Sequence, residues 1–173
     1  RPRDWSSDVC SSDLLDDARW ASQFDLVVNH AFLATQIGGA AIARAGGGAM
    51  TFVASISGLA RIPGQVAYGA AKAALIQLVA GMSYELGPQK VRVNAVAPGF
   101  VRTPRLNTML SEANWSELGA VVPTGRASEP SEIASAILFL SSDLASQVTG
   151  HTLIADGGVA NVVHIPKLAI TGN

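Results

Sequence analysis

The chain has 173 residues, 49% hydrophobic and only 14% charged, with a net charge of −1 at pH 7. That length suits one domain, and the near-neutral charge gives no electrostatic footing for nucleic acid or an anionic membrane surface. No uninterrupted apolar run approaches the ~20 residues of a membrane span, no basic-then-apolar leader is visible, and one cysteine, Cys10, cannot close an internal disulfide, so a cytoplasmic protein is expected.

Arg1–Leu14, RPRDWSSDVCSSDL, is polar, rich in Ser and Asp, and without apolar period. Within it Asp4–Leu14 resembles a translated sequencing adapter residue for residue. The stretch 1–14 is therefore expected to be foreign to the fold, with one domain over 15–159 and a tail over 160–173. From Leu15 to about Ala45 the sequence is rich in Ala, Leu, Ile and Gln and holds no proline. Its apolar spacing predicts one long helix or two in succession, ended by Gly46-Gly47-Gly48. Ala49–Ser55 reads as a short buried strand. Ser57–Gln65, with Gly58, Pro63 and Gly64, reads as a loop.

Val66–Leu86 carries the clearest helical pattern, with apolar residues at Ala74, Leu75, Leu78, Val79 and Met82, and Gly87-Pro88 stops it. Val91–Ala97 reads as a second strand closed by Pro98-Gly99. The weakly patterned stretch Thr103–Ala127 is expected to be a mobile segment with short helices. Pro130 suits a first helical position with Glu132 in the first turn, and Ile133, Ile137 and Leu140 mark one face of a helix to about Ser142. His151–Ala155 is the third strand, before Asp156-Gly157-Gly158. Strands alternating with helices at this spacing imply right-handed crossovers and a parallel α/β sheet.

Tyr68 and Lys72 stand four apart near the start of the best helix, so the ammonium sits beside the phenol. A free phenol has a pKa of about 10, too high for efficient proton exchange at neutral pH, and a nearby cation favours its ionised form. Such a pair alone is commonly a packed Tyr and a solvated Lys. Ser55, however, lies at the carboxyl end of a predicted strand, where open α/β sheets place their ligands. A serine there can donate a hydrogen bond to a carbonyl as charge develops on it; in isolation it would read as a turn cap. His30, His151 and His164 have neither the mutual spacing nor the acidic company of a metal site, and no metal is expected.

VASISGLARIPGQVAYGAAKAALIQLVAGMSYELGPQKVRVNAVAPGFVRTP resembles the catalytic stretch of the short-chain dehydrogenase/reductase family. The likeness runs from about Leu15 to Val159. It rests on Ser55, Tyr68-x-x-x-Lys72, the Val91-Arg92-Val93-Asn94 strand, Pro98-Gly99 with Thr103, and Thr149-Gly150 through Asp156-Gly157-Gly158. The resemblance implies the C-terminal part of a Rossmann-like, doubly wound parallel sheet, with three strands here and the front nucleotide-binding half absent. It implies NAD or NADP as cofactor, a small-molecule alcohol or ketone as substrate, and a homo-oligomer. In that frame Tyr68 is the acid/base, Lys72 lowers the Tyr68 pKa and holds the nicotinamide ribose, and Ser55 orients the reacting oxygen. Asn29 matches the fourth catalytic residue, which positions a water near the lysine, although the Asn29–Ser55 interval is a little short. Pro98, Gly99, Val101 and Thr103 would wrap the nicotinamide end of the cofactor.

No glycine-rich turn of the family's pyrophosphate-binding kind precedes Gly38, and Gly46–Gly48 follows a helix where such a turn would precede one. This chain by itself is therefore expected to be inactive, and Leu106–Val122 is the expected lid. Two rivals stand beside the alcohol/carbonyl reading. Enoyl reductases of the family separate Tyr and Lys by six residues, against three here. A catalytically dead relative, acting as a subunit or binding module, would have been free to lose Ser55, Tyr68, Lys72 and Asn29.

Overall fold

A computed structural model describes residues 16–161; the adapter-like segment with Cys10, and His164, lie outside them. Helix α1 runs from Asp17 to Arg44. It opens on Asp16, whose carboxylate accepts the Arg19 N–H at 2.7 Å, satisfying one of the donors a helix start leaves free. One continuous helix therefore fills the region predicted as one or two. It widens into π-helical turns at Asp25–Asn29 and Thr35–Gly39.

The remaining elements are β1 (Gly48–Val53), α2 (Val66–Leu86), β2 (Val91–Pro98), α3 (Pro104–Asn107), α4 (Glu112–Ala120), α5 (Pro130–Ser141) and β3 (Thr152–Ala155). The three strands are parallel in the order β1-β2-β3. Predicted and observed boundaries agree to within two residues for every strand and for α2 and α5. At the end of β1 the difference has a cause. The Ser55 side chain turns back to accept the Ser57 N–H at 3.1 Å, capping the short turn Ile56–Gly58. The ladder therefore ends at Ala54, whose N–H donates to Val96 O at 2.7 Å.

Alternation along β2 sorts the two faces of the sheet. Val91, Val93, Ala95 and Ala97 point into one core, shared with Val27 and Ala31 of α1 and Ala71, Leu75 and Val79 of α2. Val96 points the other way, into a smaller core with Ile133 and Leu140 of α5 and Ala145. Helices thus cover both faces, the doubly wound arrangement that the βα alternation implies. By length and hydropathy α1 (28 residues) and α2 with its following turn (24 residues) could each cross a bilayer, although neither holds an uninterrupted apolar run of that length. Here Ala67, Ala71, Leu75, Val79 and Ser83 form the buried row of α2, so that helix serves as a core helix.

The even-numbered residues of β2 include two polar ones, and both are satisfied. Arg92 closes the end of α5 by donating to Leu140 O at 2.7 Å and Ser142 O at 2.9 Å. Asn94, fully buried, donates to Val148 O at 2.8 Å and accepts the His151 N–H at 3.0 Å, stitching the loop before β3 to the central strand. Asn94→Leu should strand both backbone groups without solvent. Its expected cost is roughly 2–4 kcal/mol in denaturant unfolding, with a midpoint shift and little change in slope. An unfolding midpoint equal to that of the parent protein would contradict this role.

Candidate active site

The carboxyl ends of β1 and β2 and the start of α2 meet at a cavity of about 570 Å³. Ser55 and Tyr68 both line it, with Gly99 and Val101 from the loop after β2. Two glycines allow that meeting. A Cβ on Gly58 would lie 2.8 Å from the Lys72 carbonyl carbon and 2.9 Å from the Ala73 nitrogen, and a Cβ on Gly69 would lie 2.7 Å from the Ser57 carbonyl oxygen. The turn carrying Ser55 and the helix carrying Tyr68 and Lys72 therefore touch backbone to backbone. In the sequence Gly58 reads only as a loop glycine, and Gly69 carries no signal of its own. A Gly beside a candidate Tyr, facing a Gly in a loop, is a signal that only the fold makes legible.

Ser55 is half-buried and its hydroxyl donates to Ser57 Oγ at 3.2 Å, while Ser57 donates to Gln65 Oε1 at 2.6 Å. This chain of hydroxyls ends on the Gln65 amide, and a rotating Ser55 hydroxyl can be re-aimed at an acceptor in the cavity. The Lys72 ammonium lies 5.6 Å from the centroid of the Tyr68 ring. It donates to Val53 O at 2.7 Å, at the last residue of β1. Its other two N–H bonds have no partner among the described residues. Burial pushes Lys72 below its ordinary value of 10.5, because removing an ammonium from water disfavours its charged form.

Pro98 is the buried last residue of β2. Gly99 donates its N–H to Ala155 O at 3.2 Å, and the Ser128 and Arg102 N–H groups tie the next residues to the segment before α5. No acceptor among the described residues takes the Val101 N–H, which stays available at the cavity. Thr103 caps α3 by accepting the Leu106 N–H at 3.3 Å. The expected lid is ordered into α3 and α4 and forms the helical wall of the cavity through Leu106, Met109, Leu110, Trp115 and Leu118. Arg102 pins this wall. It stacks 5.1 Å from the Trp115 ring and grips Glu112 with two bonds of 3.0 and 2.8 Å. Hydrogen bonding to Arg102 holds the Glu112 carboxyl below its ordinary value.

Asn29 is not among the residues that line the cavity. It closes the first π-helical turn, is exposed, and its Nδ2 donates to Asp25 Oδ1 at 2.5 Å. Among the described residues, no group of three or more His, Cys, Asp or Glu could hold a metal ion.

Residues 10–160 match the family model described as Enoyl-(Acyl carrier protein) reductase. The 3-oxoacyl-(acyl-carrier-protein) reductase FabG of Chlamydia trachomatis is 44% identical over 117 residues, 68% of this chain and 47% of that protein. A 3alpha-hydroxysteroid dehydrogenase of Mediterraneibacter gnavus is 41% identical over 133 residues, 77% of this chain and 53% of that protein. The chain thus spans about half the length of these curated relatives. Among solved structures, a gluconate 5-dehydrogenase from Burkholderia cenocepacia in complex with NADP and tartrate superposes with a TM-score of 0.82 at 25% identity, covering 88% of this chain and 60% of that one. Acetoin dehydrogenase YohF from Salmonella typhimurium gives 0.76 at 33% identity, covering 86% and 58%.

The depressed Lys72 value has a consequence for stability. Between the folded value and 10.5 the unfolded chain binds more protons at this site than the folded one. Stability therefore rises with pH across that window, and the cost of burying the ammonium is fully present below it. In an NMR titration of isotopically methylated lysines, the Lys72 signal, identified by its loss in Lys72→Met, should have its midpoint below that of a reference lysine peptide. A midpoint at or above the reference would contradict the desolvated setting.

Proposed function

The chain belongs to the short-chain dehydrogenase/reductase family, and we propose that the protein containing it transfers hydride between NAD or NADP and an alcohol/carbonyl pair. The observation that carries this reading is the convergence of Ser55 and Tyr68 on one cavity, with the Lys72 ammonium against the Tyr68 ring. In the reduction direction the Ser55 hydroxyl donates to the substrate carbonyl oxygen and Tyr68 delivers a proton to that oxygen. In oxidation Tyr68 takes the proton back. Lys72 keeps a positive charge behind the phenol and offers its two spare N–H bonds to the nicotinamide ribose. Asn29 would act through a water placed near Lys72.

The donors present suit the nicotinamide end of the cofactor: the free Val101 N–H, the spare Lys72 donors, and the loop Pro98-Gly99 with Thr103 beside the cavity. NAD or NADP, when bound, supplies or accepts the hydride. The three-residue gap between Tyr68 and Lys72 favours carbonyl chemistry over the enoyl reduction that the matched model's description names. Retention of Ser55, Tyr68, Lys72 and Asn29 weighs against an inactive subunit. Because its relatives are about twice as long, the 173-residue chain alone is proposed to be inactive, the pyrophosphate and adenine sites belonging to a front half like theirs. A homo-oligomer in the cytoplasm is part of the same reading. It is supported by the exposed apolar face of α1, with Leu26 and Ile37 each 69% exposed, beside the alanine-rich stretches Ala40–Ala45 and Ala70–Ala74.

In the full-length protein Tyr68→Phe should lower kcat and kcat/KM together by about a thousandfold or more, leaving cofactor affinity close to that of the parent. Only the hydroxyl that acts in the transition state is lost. Steady-state kinetics with cofactor titration by fluorescence checks this. Turnover within tenfold of the parent would remove Tyr68 from the proton transfer.

A further inference from the structure

The two walls of the cavity differ in chemistry. The strand-end wall brings hydroxyls, from Ser55 and Tyr68. The helical wall is apolar, with Leu106, Met109, Trp115 and Leu118, and carries the one charged side chain among the described lining residues, Arg105 of α3. The neighbouring arginines are already committed. Arg102 holds Glu112 at 2.8 Å and Arg126 holds Glu132 at 2.7 Å, each through two bonds. Arg105 has no carboxylate within 4.0 Å among the described residues. Behind the same wall the indole Nε1–H of Trp115 is buried with no acceptor among the described residues. Among the described residues that line it, this wall therefore offers one unspent positive charge and no acceptor side chain.

Resting on the oxidoreductase reading and deepening it, we infer that the substrate is a carbonyl compound, or its alcohol, with an apolar body and one anionic group that Arg105 pairs with. A body rich in hydroxyls would exchange water for aliphatic carbon along the helical wall and lose hydrogen bonds. An apolar body loses none and gains the burial of its own surface. The guanidinium fork matches a carboxylate or a phosphate in two parallel bonds. Placed on the wall that Arg102 and Glu112 hold against the strand-end loop, it fixes which way the substrate lies across Ser55 and Tyr68. The carbonyl is then presented to the hydroxyls while the charge stays at Arg105.

The test uses the full-length protein and three ketones that share one cyclohexane body: neutral, bearing a ring carboxylate, and bearing a phosphate ester. One of the charged ketones should be preferred over the neutral one by about two- to fivefold in kcat/KM, the range of a solvent-exposed charge pair. The difference should lie in KM, and the preferred anion identifies the group. In Arg105→Met the charged-to-neutral ratio should collapse to about one, and Arg105→Lys, which keeps the charge and loses the fork, should retain part of it. Equal turnover of all three ketones by the parent, or a preference that survives Arg105→Met, overturns the inference. So does an Arg105→Met variant that weakens cofactor affinity with the preference intact, because Arg105 would then serve the cofactor's phosphates. Each of those results leaves the oxidoreductase reading standing. Failure of the parent to reduce any of the three overturns both.

Discussion

The site depends on one close approach. The turn that follows β1 and the first turns of α2 come together at backbone distance, and only residues without a Cβ can stand at the contact. Gly58 faces the Lys72–Ala73 peptide and Gly69 faces the Ser57 carbonyl. From that contact the rest follows. Ser55 and Tyr68 open onto the same cavity, and Lys72 reaches past the Tyr68 ring to the carbonyl of Val53. A helix packed at an ordinary side-chain distance, about 8–10 Å between axes, would hold the phenol away from the serine.

The frame behind this contact is β2, the central strand, whose residues from Val93 to Pro98 are all buried. Its two faces serve different ends. The odd-numbered residues press α2 onto the sheet, which sets the height of Tyr68 above the strand ends. On the other face Arg92 and Asn94 spend their hydrogen bonds on the end of α5 and on the loop before β3. That leaves the loop after Pro98 anchored by backbone bonds to Ala155 and Ser128, with the Val101 N–H unspent beside the cavity. Rigid strand ends on one side and a helical wall pinned by Arg102 and Glu112 on the other give a site whose polar groups are positioned before any ligand arrives.

Much of this was legible in the residues. Period and punctuation located α2 to the residue, because apolar spacing and Gly87-Pro88 agree there. The strands emerged from short β-rich runs bounded by glycine. Ser55, Tyr68 and Lys72 could be nominated because a strand end and an i, i+4 pair make their geometry local. What escaped was non-local. The pairing of Gly58 with Gly69, and of Arg102 with Glu112 and Trp115, joins elements whose distance no spacing rule reports. The lid was expected to hold short helices whose bounds its weak patterning could not give; α4 starts where Ser111 and Asn114 cap each other. Asn29 matched the family motif, but in α1 its amide is bonded to Asp25 one turn earlier. The π-helical turn that it closes is a local widening that apolar periodicity does not encode.

Gly69→Ala in the full-length protein puts the close approach to the test, because two effects oppose each other there. Alanine is the better helix former by roughly 1 kcal/mol, so a merely helical Gly69 would gain stability and keep its activity. If α2 must touch the Ser57 carbonyl, the added methyl pushes the helix away from the turn, and a displacement of about 1 Å costs on the order of a hundredfold in rate. The measurement is kcat/KM together with the thermal unfolding midpoint of the same preparation. The account predicts a fall of about a hundredfold in kcat/KM with no gain in the midpoint, in a protein that still unfolds cooperatively. A higher midpoint with unchanged kcat/KM would contradict it.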